Sequence, residues 1–278
     1  AFDKERNPIP CRVVRHSSVE WNHVRTDILV EADVPAFGYT TIKVNEREKN
    51  SFCFSAMPPD PRVISYPDTI LENDLVRIHF DNRNFSILSY YDKRMEKELL
   101  SAPAYFSLSW EQQAEGEGVI SGGNAWVEGI RSRMVNLHED GIASLHGQEL
   151  NTPLRKGISY QLSHEAMTID VTAHISDYSP ILELSVCINH FPLSNKDGVP
   201  VLSFRTPLAY NSSSFRCDMQ IGTLDRKPQS CHDEFTRNFC FGVPTEGDCG
   251  LALLSDTKYG CRYDDNALEL TLLRSSSS

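Results

Sequence analysis

"MTIDVTAHIS" (167–176), followed closely by "ILELSVCINH" (181–190), decides the fold class. In the first stretch Met167, Ile169, Val171, Ala173 and Ile175 fall on one side of an extended chain, with Thr168, Asp170, Thr172, His174 and Ser176 on the other. In the second, Leu182, Leu184, Val186 and Ile188 alternate with Glu183, Ser185 and Asn189. Successive side chains of a strand point to opposite faces, so this period of two predicts two strands, each with one buried face. "DYSP" (177–180) supplies turn chemistry between them, and the pair is predicted as an antiparallel hairpin. "ISYQLSHE" (158–165) adds a third strand through Ile158, Tyr160 and Leu162.

The same period recurs outward from this hairpin. "LVRIHF" (75–80) alternates through Val76, Ile78 and Phe80, "DNRN" turns, and "FSILSYY" (85–91) returns. "TDILVEADV" (26–34) and "YTTIKV" (39–44), joined around Pro35 and Gly38, read as another hairpin. Near the C-terminal end Leu268, Leu270 and Leu272 alternate with Glu269, Thr271 and Leu273; Leu251 and Leu253 do so with Ala252 and Leu254, and Gly260 and Asp264-Asp265-Asn266 supply turn residues between. Helical spacing is confined to "DKRMEKELL" (92–100), which reads equally well as a turn and a returning strand. Many short strands with little helix predict an all-β chain, a large sandwich of antiparallel sheets. The Pro-rich "FSAMPPDPRVISYPD" (54–68) reads as a linker, giving a small β-sandwich segment at 1–65 and a larger domain at 66–278.

Composition narrows the function. The 278 residues carry a formal net charge of -11, and the chain lacks the basic run that phosphate neutralisation requires, so nucleic acid is set aside as a partner. No apolar run is long enough to span a bilayer, which sets the membrane aside too. The eight cysteines include no Cys-x-x-Cys pair; free, mostly buried thiols in a cytoplasmic protein are the reading adopted. Two sequons occur, at Asn84 and Asn211. There is no Gly-x-Ser-x-Gly elbow, no phosphate loop and no His-x-x-x-His pair. "CHDEF" (231–235) gathers possible metal ligands on a spacing that matches no standard site, and reads as an exposed polar loop. His79, His138 and His174 stand alone and read as strand-surface or satisfied core residues. With 38 acidic residues, a carboxylate pair for glycoside hydrolysis always exists somewhere and has no meaning without a fold.

Several segments together resemble the C-terminal β region of glycoside hydrolase family 38, the α-mannosidases. "DVPAFGYTTIKV" (33–44), "ILENDLVRIHFDNRNFSILSYYDKRMEKEL" (70–99), "NAW" (124–126), "QIGTLDRKP" (220–228) and "GLALLSDTKYGCRYDDNALELTLLRS" (250–275) are similar to family segments and run in family order. Where many members carry a tryptophan-containing stretch, this chain reads "RNFCFGVPTEGDC" (237–249). The resemblance implies a galactose-mutarotase-like supersandwich preceded by a smaller β segment, truncated at its C-terminus. It implies upstream catalytic and helical domains of the same enzyme as partners, an α-mannoside as substrate, and a zinc ion and nucleophile held there. This chain is then expected to hold no cofactor and no metal, to have no catalytic residue of its own and to be inactive alone. Five residues are the expected substrate-adjacent set. Asn124 and Trp126 combine an amide with an aromatic platform for a sugar face. Lys258 and Tyr259 sit at a strand end. Arg274 is suited to sugar hydroxyls or a carboxylate. A stand-alone carbohydrate-binding sandwich is the alternative, and it requires exposed aromatic side chains on one face.

Overall fold

The computed structural model describes residues 1–19, 23–44, 69–112, 130–145, 154–195, 197–247 and 249–275. Strands in chain order begin with β1 (Cys11–Val19), β2 (His23–Val30), β3 (Ile70–Glu72), β4 (Val76–Phe80), β5 (Ile87–Asp92), β6 (Lys97–Glu98) and β7 (Tyr105–Gln112). They continue with β8 (Ile130–Asn136), β9 (Ile142–Leu145), β10 (Arg155–His164), β11 (Met167–Ser176), β12 (Leu182–Asn189) and β13 (Val199–Pro207). The last are β14 (Ser212–Met219), β15 (Gly222–Arg226), β16 (Gln229–Phe235), β17 (Phe239–Pro244), β18 (Ala252–Leu254), β19 (Gly260–Asp264) and β20 (Ala267–Arg274). No helix occurs among the described residues, so the chain is all-β. It divides into two compact units, one of residues 1–66 with 152–154, the other of residues 67–151 with 155–278.

The smaller unit holds the β1–β2 pair. Here the predicted hairpin of 26–34 with 39–44 is corrected. Residues 26–30 belong to β2, whose partner is β1, and the turn at Pro35–Gly38 forms without paired arms. Lys43 instead bridges Phe2 through two backbone hydrogen bonds of 2.9 Å. A register shift between Val13 and Arg15 breaks the period of β1, which hid that strand from a reading based on alternation.

The larger unit contains a six-stranded sheet in the order β16-β19-β20-β13-β7-β8 and three four-stranded sheets, β12-β11-β10-β9, β15-β14-β17-β18 and β3-β4-β5-β6. The opening stretch behaves as its pattern requires. Ile169, Val171, Ala173 and Ile175 are buried and lie opposite Ile188, Val186, Leu184 and Leu182 of β12. "DKRMEKELL" is a turn leading into β6. The β19–β20 hairpin closes on Asp265 and Asn266 at φ of 49° and 53°, the left-handed pair that a two-residue turn of this hand demands. Gly260 does not serve that turn: it opens β19.

The core is one continuous cluster, reaching from Leu71 to Leu273. Phe85 stacks on Tyr160 at 5.1 Å, and Phe106 packs on Phe204 and His138. Polar groups inside it are bonded in sets. Asn73 donates to the carbonyls of Ser176 and Ser179 and accepts from the backbone N–H groups of Leu75 and Val76, all at 2.8 Å. It thereby ties the β3–β4 turn to the β11–β12 turn.

Candidate functional site at one end of the six-stranded sheet

Alternation gives the six-stranded sheet two unlike faces. Phe106 and Leu108 of β7, Leu202 and Phe204 of β13, and Leu268 and Leu270 of β20 enter the core. The opposite parity places Ser107, Ser109 and Glu111, then Ser203 and Arg205, then Glu269 and Thr271 on the other face, with Arg262 from β19. Several of these polar side chains are buried as deeply as the core: Glu111 is 1% exposed, Ser203 0%, Glu269 2% and Arg262 5%. Buried charges of this kind persist only when paired.

The pairing is dense. Arg131 of β8 donates to Glu269 at 2.5 Å, to both carboxylate oxygens of Asp233 at 2.8 Å, to Thr271 at 2.8 Å and to Ser203 at 3.2 Å. Since β8 and β16 are opposite edges of the sheet, the contact of Arg131 Nη2 with Asp233 joins the two edges across the polar face. Glu269 also receives Arg205 and Arg262, each at 3.2 Å. Burial alone would raise the Glu269 pKa; the guanidinium groups of Arg262, Arg131 and Arg205, with Ser203, overcome it and hold the carboxyl below its ordinary value. Gly260 is explained here. A Cβ at that position would stand 2.8 Å from Asp233 Oδ2, so the close approach, not a turn, requires glycine.

"CHDEF" is thus a strand rather than a loop, and Asp233 within it is a member of a charge network. Sequence reasoning missed that network. The available signal was polar parity: Ser203/Arg205 and Glu269/Thr271 alternate against apolar neighbours on adjacent strands, which is odd for a face that is buried.

The antiparallel register brings the end of β16, the start of β19, the end of β20, the start of β13, the end of β7 and the start of β8 to one end of the sheet. Three of the five expected site residues are found there. Arg274 closes β20 and donates from Nε and Nη2 to Glu111 Oε2 at 2.9 and 2.8 Å, so its guanidinium is oriented by a buried carboxylate. Tyr259 is 51% exposed and stacks on Phe235, 42% exposed, with ring centroids 6.0 Å apart. Lys258 is half-buried, its backbone N–H on Ser255 Oγ at 3.0 Å. Asn124 and Trp126 lie outside the described residues.

Lys258 also lines a cleft of about 920 Å³. Its walls are Leu182, Leu184 and Val186 of β12 and Leu270 and Leu272 of β20. Asp92 and Arg94, paired at 2.7 Å, also line it. Tyr90 there donates to the Pro180 carbonyl and is pushed up to about 12, chiefly by burial. Among the described residues no three His, Cys, Asp or Glu side chains stand in an arrangement that could hold a metal ion.

Residues 71–278 match the family described as "Glycosyl hydrolases family 38 C-terminal domain". The chain belongs to glycoside hydrolase family 38. An α-mannosidase from Enterococcus faecalis V583 has a similar structure, with a TM-score of 0.63 and 11% sequence identity over 100% of this chain and 34% of that one. At that identity the likeness speaks for the fold. The chain therefore spans about a third of that α-mannosidase. No curated protein matches it. In family 38 terms, the charged face and the sheet end just described belong to a C-terminal domain, and the segment "ILENDLV" owes its asparagine to the turn-to-turn lock made by Asn73.

Proposed function

We propose that this chain is the non-catalytic β portion of a zinc-dependent retaining α-mannosidase, packing on a catalytic domain and rimming its substrate pocket. The match to the C-terminal domain of family 38 carries this reading. In a retaining glycosidase one carboxylate attacks the anomeric carbon and a second carboxyl group protonates the leaving oxygen. Both, with the zinc that orients sugar hydroxyls, are assigned to the catalytic domain. This chain contributes the end of its six-stranded sheet. Arg274, oriented by Glu111, offers N–H groups to sugar hydroxyls or to a carboxylate. Lys258 adds a cation at the cleft, and Asn124 with Trp126 supplies an amide and an aromatic face. Residues 1–65 are assigned to a small β-sandwich segment with its linker, and residues 66–278 to a mutarotase-like supersandwich.

The test is hydrolysis of an aryl α-mannoside with added zinc. This chain alone is expected to be inactive, and activity is expected on mixing it with a separately made catalytic portion of the same enzyme. Activity of this chain alone, or no gain on mixing, would overturn the reading.

A second reading has one observation in its favour. The exposed Phe235–Tyr259 stack is the kind of platform on which a pyranose C–H face rests, as a stand-alone carbohydrate-binding module would need. Titration of this chain with methyl α-mannoside, followed by tyrosine resonances, decides it: saturable shifts at Tyr259 favour the module.

A further inference from the structure

Three sulfur atoms meet in the buried seam between two sheets. Cys217 of β14 and Cys240 of β17 lie directly opposite each other in the β15-β14-β17-β18 sheet. Cys261 of β19 comes from the six-stranded sheet. All three are 0% exposed. The Cys217 and Cys261 sulfurs are 3.6 Å apart, in van der Waals contact. Cys261 also interacts with Cys240. An adjacent pair within one sheet is ordinary packing. A sulfur contact between two layers is a place where a short covalent link would join sheets that are otherwise tied by apolar packing, the Arg226–Glu234 ion pair and the Tyr263 hydroxyl on the Ser212 carbonyl.

We propose that Cys217 and Cys261 close a cross-layer disulfide when the chain folds in the presence of a small-molecule disulfide such as oxidised glutathione. One cysteine thiolate attacks a glutathione sulfur, breaking its S–S bond and releasing one glutathione thiolate. The second cysteine thiolate then attacks the mixed disulfide, forming the Cys217–Cys261 bond and releasing the second. The two cysteine protons end on the two glutathione thiols. The protein pair is oxidised by two electrons and the glutathione disulfide is reduced by two. Closing the remaining sulfur separation takes side-chain rotation, since a disulfide tolerates a range of Cα separations.

Timing follows from the surroundings. The neighbouring Cys261 thiol and burial push the Cys217 thiol up, and Arg226 only partly opposes them. Folded and reduced, the pair is protonated and shielded, so it is inert to thiol reagents. The link therefore forms while the seam is open.

The test is refolding of the reduced, denatured full chain in a glutathione redox buffer. Free thiols are then alkylated in denaturant and the peptides mapped by mass spectrometry. All but two of the eight cysteines are expected to be alkylated, with one peptide linking residues 217 and 261. The oxidised chain is expected to melt about 10 °C above the same chain kept in dithiothreitol, as a link across some forty residues implies. Cys240→Ala is expected to keep the link; Cys217→Ala and Cys261→Ala are expected to lose it without gaining one to Cys240. If refolding yields are poor, natively purified chain is oxidised with diamide in sub-denaturing urea and mapped in the same way. Full alkylation of folded chain in either protocol, or a link through Cys240, would overturn the proposal.

Discussion

His138 is 3% exposed, stacked on Phe106, with Nδ1 2.7 Å from the Asn84 carbonyl. A carbonyl accepts, so Nδ1 carries the proton, and Nε2 has no partner among the described residues. Burial pushes its pKa down to about 4 from 6.5, against the Asn84 bond and the charge of Asp81. The neutral ring is therefore the folded form. Between those two values the unfolded chain binds more protons, so stability falls as pH drops from 6.5 toward 4 and the loss is complete below the folded value. The shift corresponds to about 3 kcal/mol. Urea midpoints at pH 7, 5 and 4 should fall accordingly, and His138→Leu should flatten the slope between pH 6.5 and 4. An unchanged slope would mean that another group drives it. Asn73 makes a complementary case: all four of its hydrogen-bonding sites are used inside the fold. Asn73→Ala removes all four bonds and leaves the Ser176 carbonyl with the Ser179 N–H alone, with an expected loss of about 3 kcal/mol by equilibrium unfolding.

At the scale of the strand, the network across the six-stranded sheet behaves as a unit because one side chain reaches both sheet edges. Removing one partner of a buried ion pair leaves the others uncompensated. Arg131→Met is expected to cost about 4 kcal/mol, and Arg131→Lys to recover little, because one ammonium nitrogen cannot serve both Glu269 and Ser203, held by Nη1, and Asp233 and Thr271, held by Nη2. A loss under about 1 kcal/mol in urea unfolding would show that the pairing barely outweighs its desolvation. Gly260→Ala tests the same site from beneath. Its new methyl meets an Asp233 carboxylate already fixed by Arg131 and Thr271, and the expected cost is about 2 kcal/mol. The contrast with β11 shows what alternation can reveal. Met167–Ser176 was legible because its buried residues are apolar and its partner strand repeats the pattern. Glu111, Arg131, Asp233 and Glu269 were not, because buried charge looks like surface in a single strand and acquires meaning only through long-range partners. β1 was missed for a local reason, its register shift. Arg274 was marked as a site residue, but its anchor Glu111, 163 positions earlier, was not.

For the whole molecule, the apolar cluster that unites the four sheets of the larger unit starts at Leu71 and contains no earlier residue among those described. Its members come from every sheet of that unit, so no sheet has a core of its own. Such a body should fold as one cooperative entity, and it carries its own interior. Residues 67–278 expressed without the preceding segment are therefore expected to give a β-type circular dichroism spectrum and a single unfolding transition, coincident by far-ultraviolet and tryptophan signals. Trp110, 9% exposed at the end of β7, lies in the cluster and reports on it. Non-coincident transitions, or a fluorescence maximum already shifted to that of exposed indole under native conditions, would show that the larger unit cannot complete its core alone. The Arg131 and His138 variants extend the same measurement. Because both residues lie within that unit, their expected losses should appear undiminished in 67–278, and a loss seen only in the full chain would place part of their effect outside the shared core.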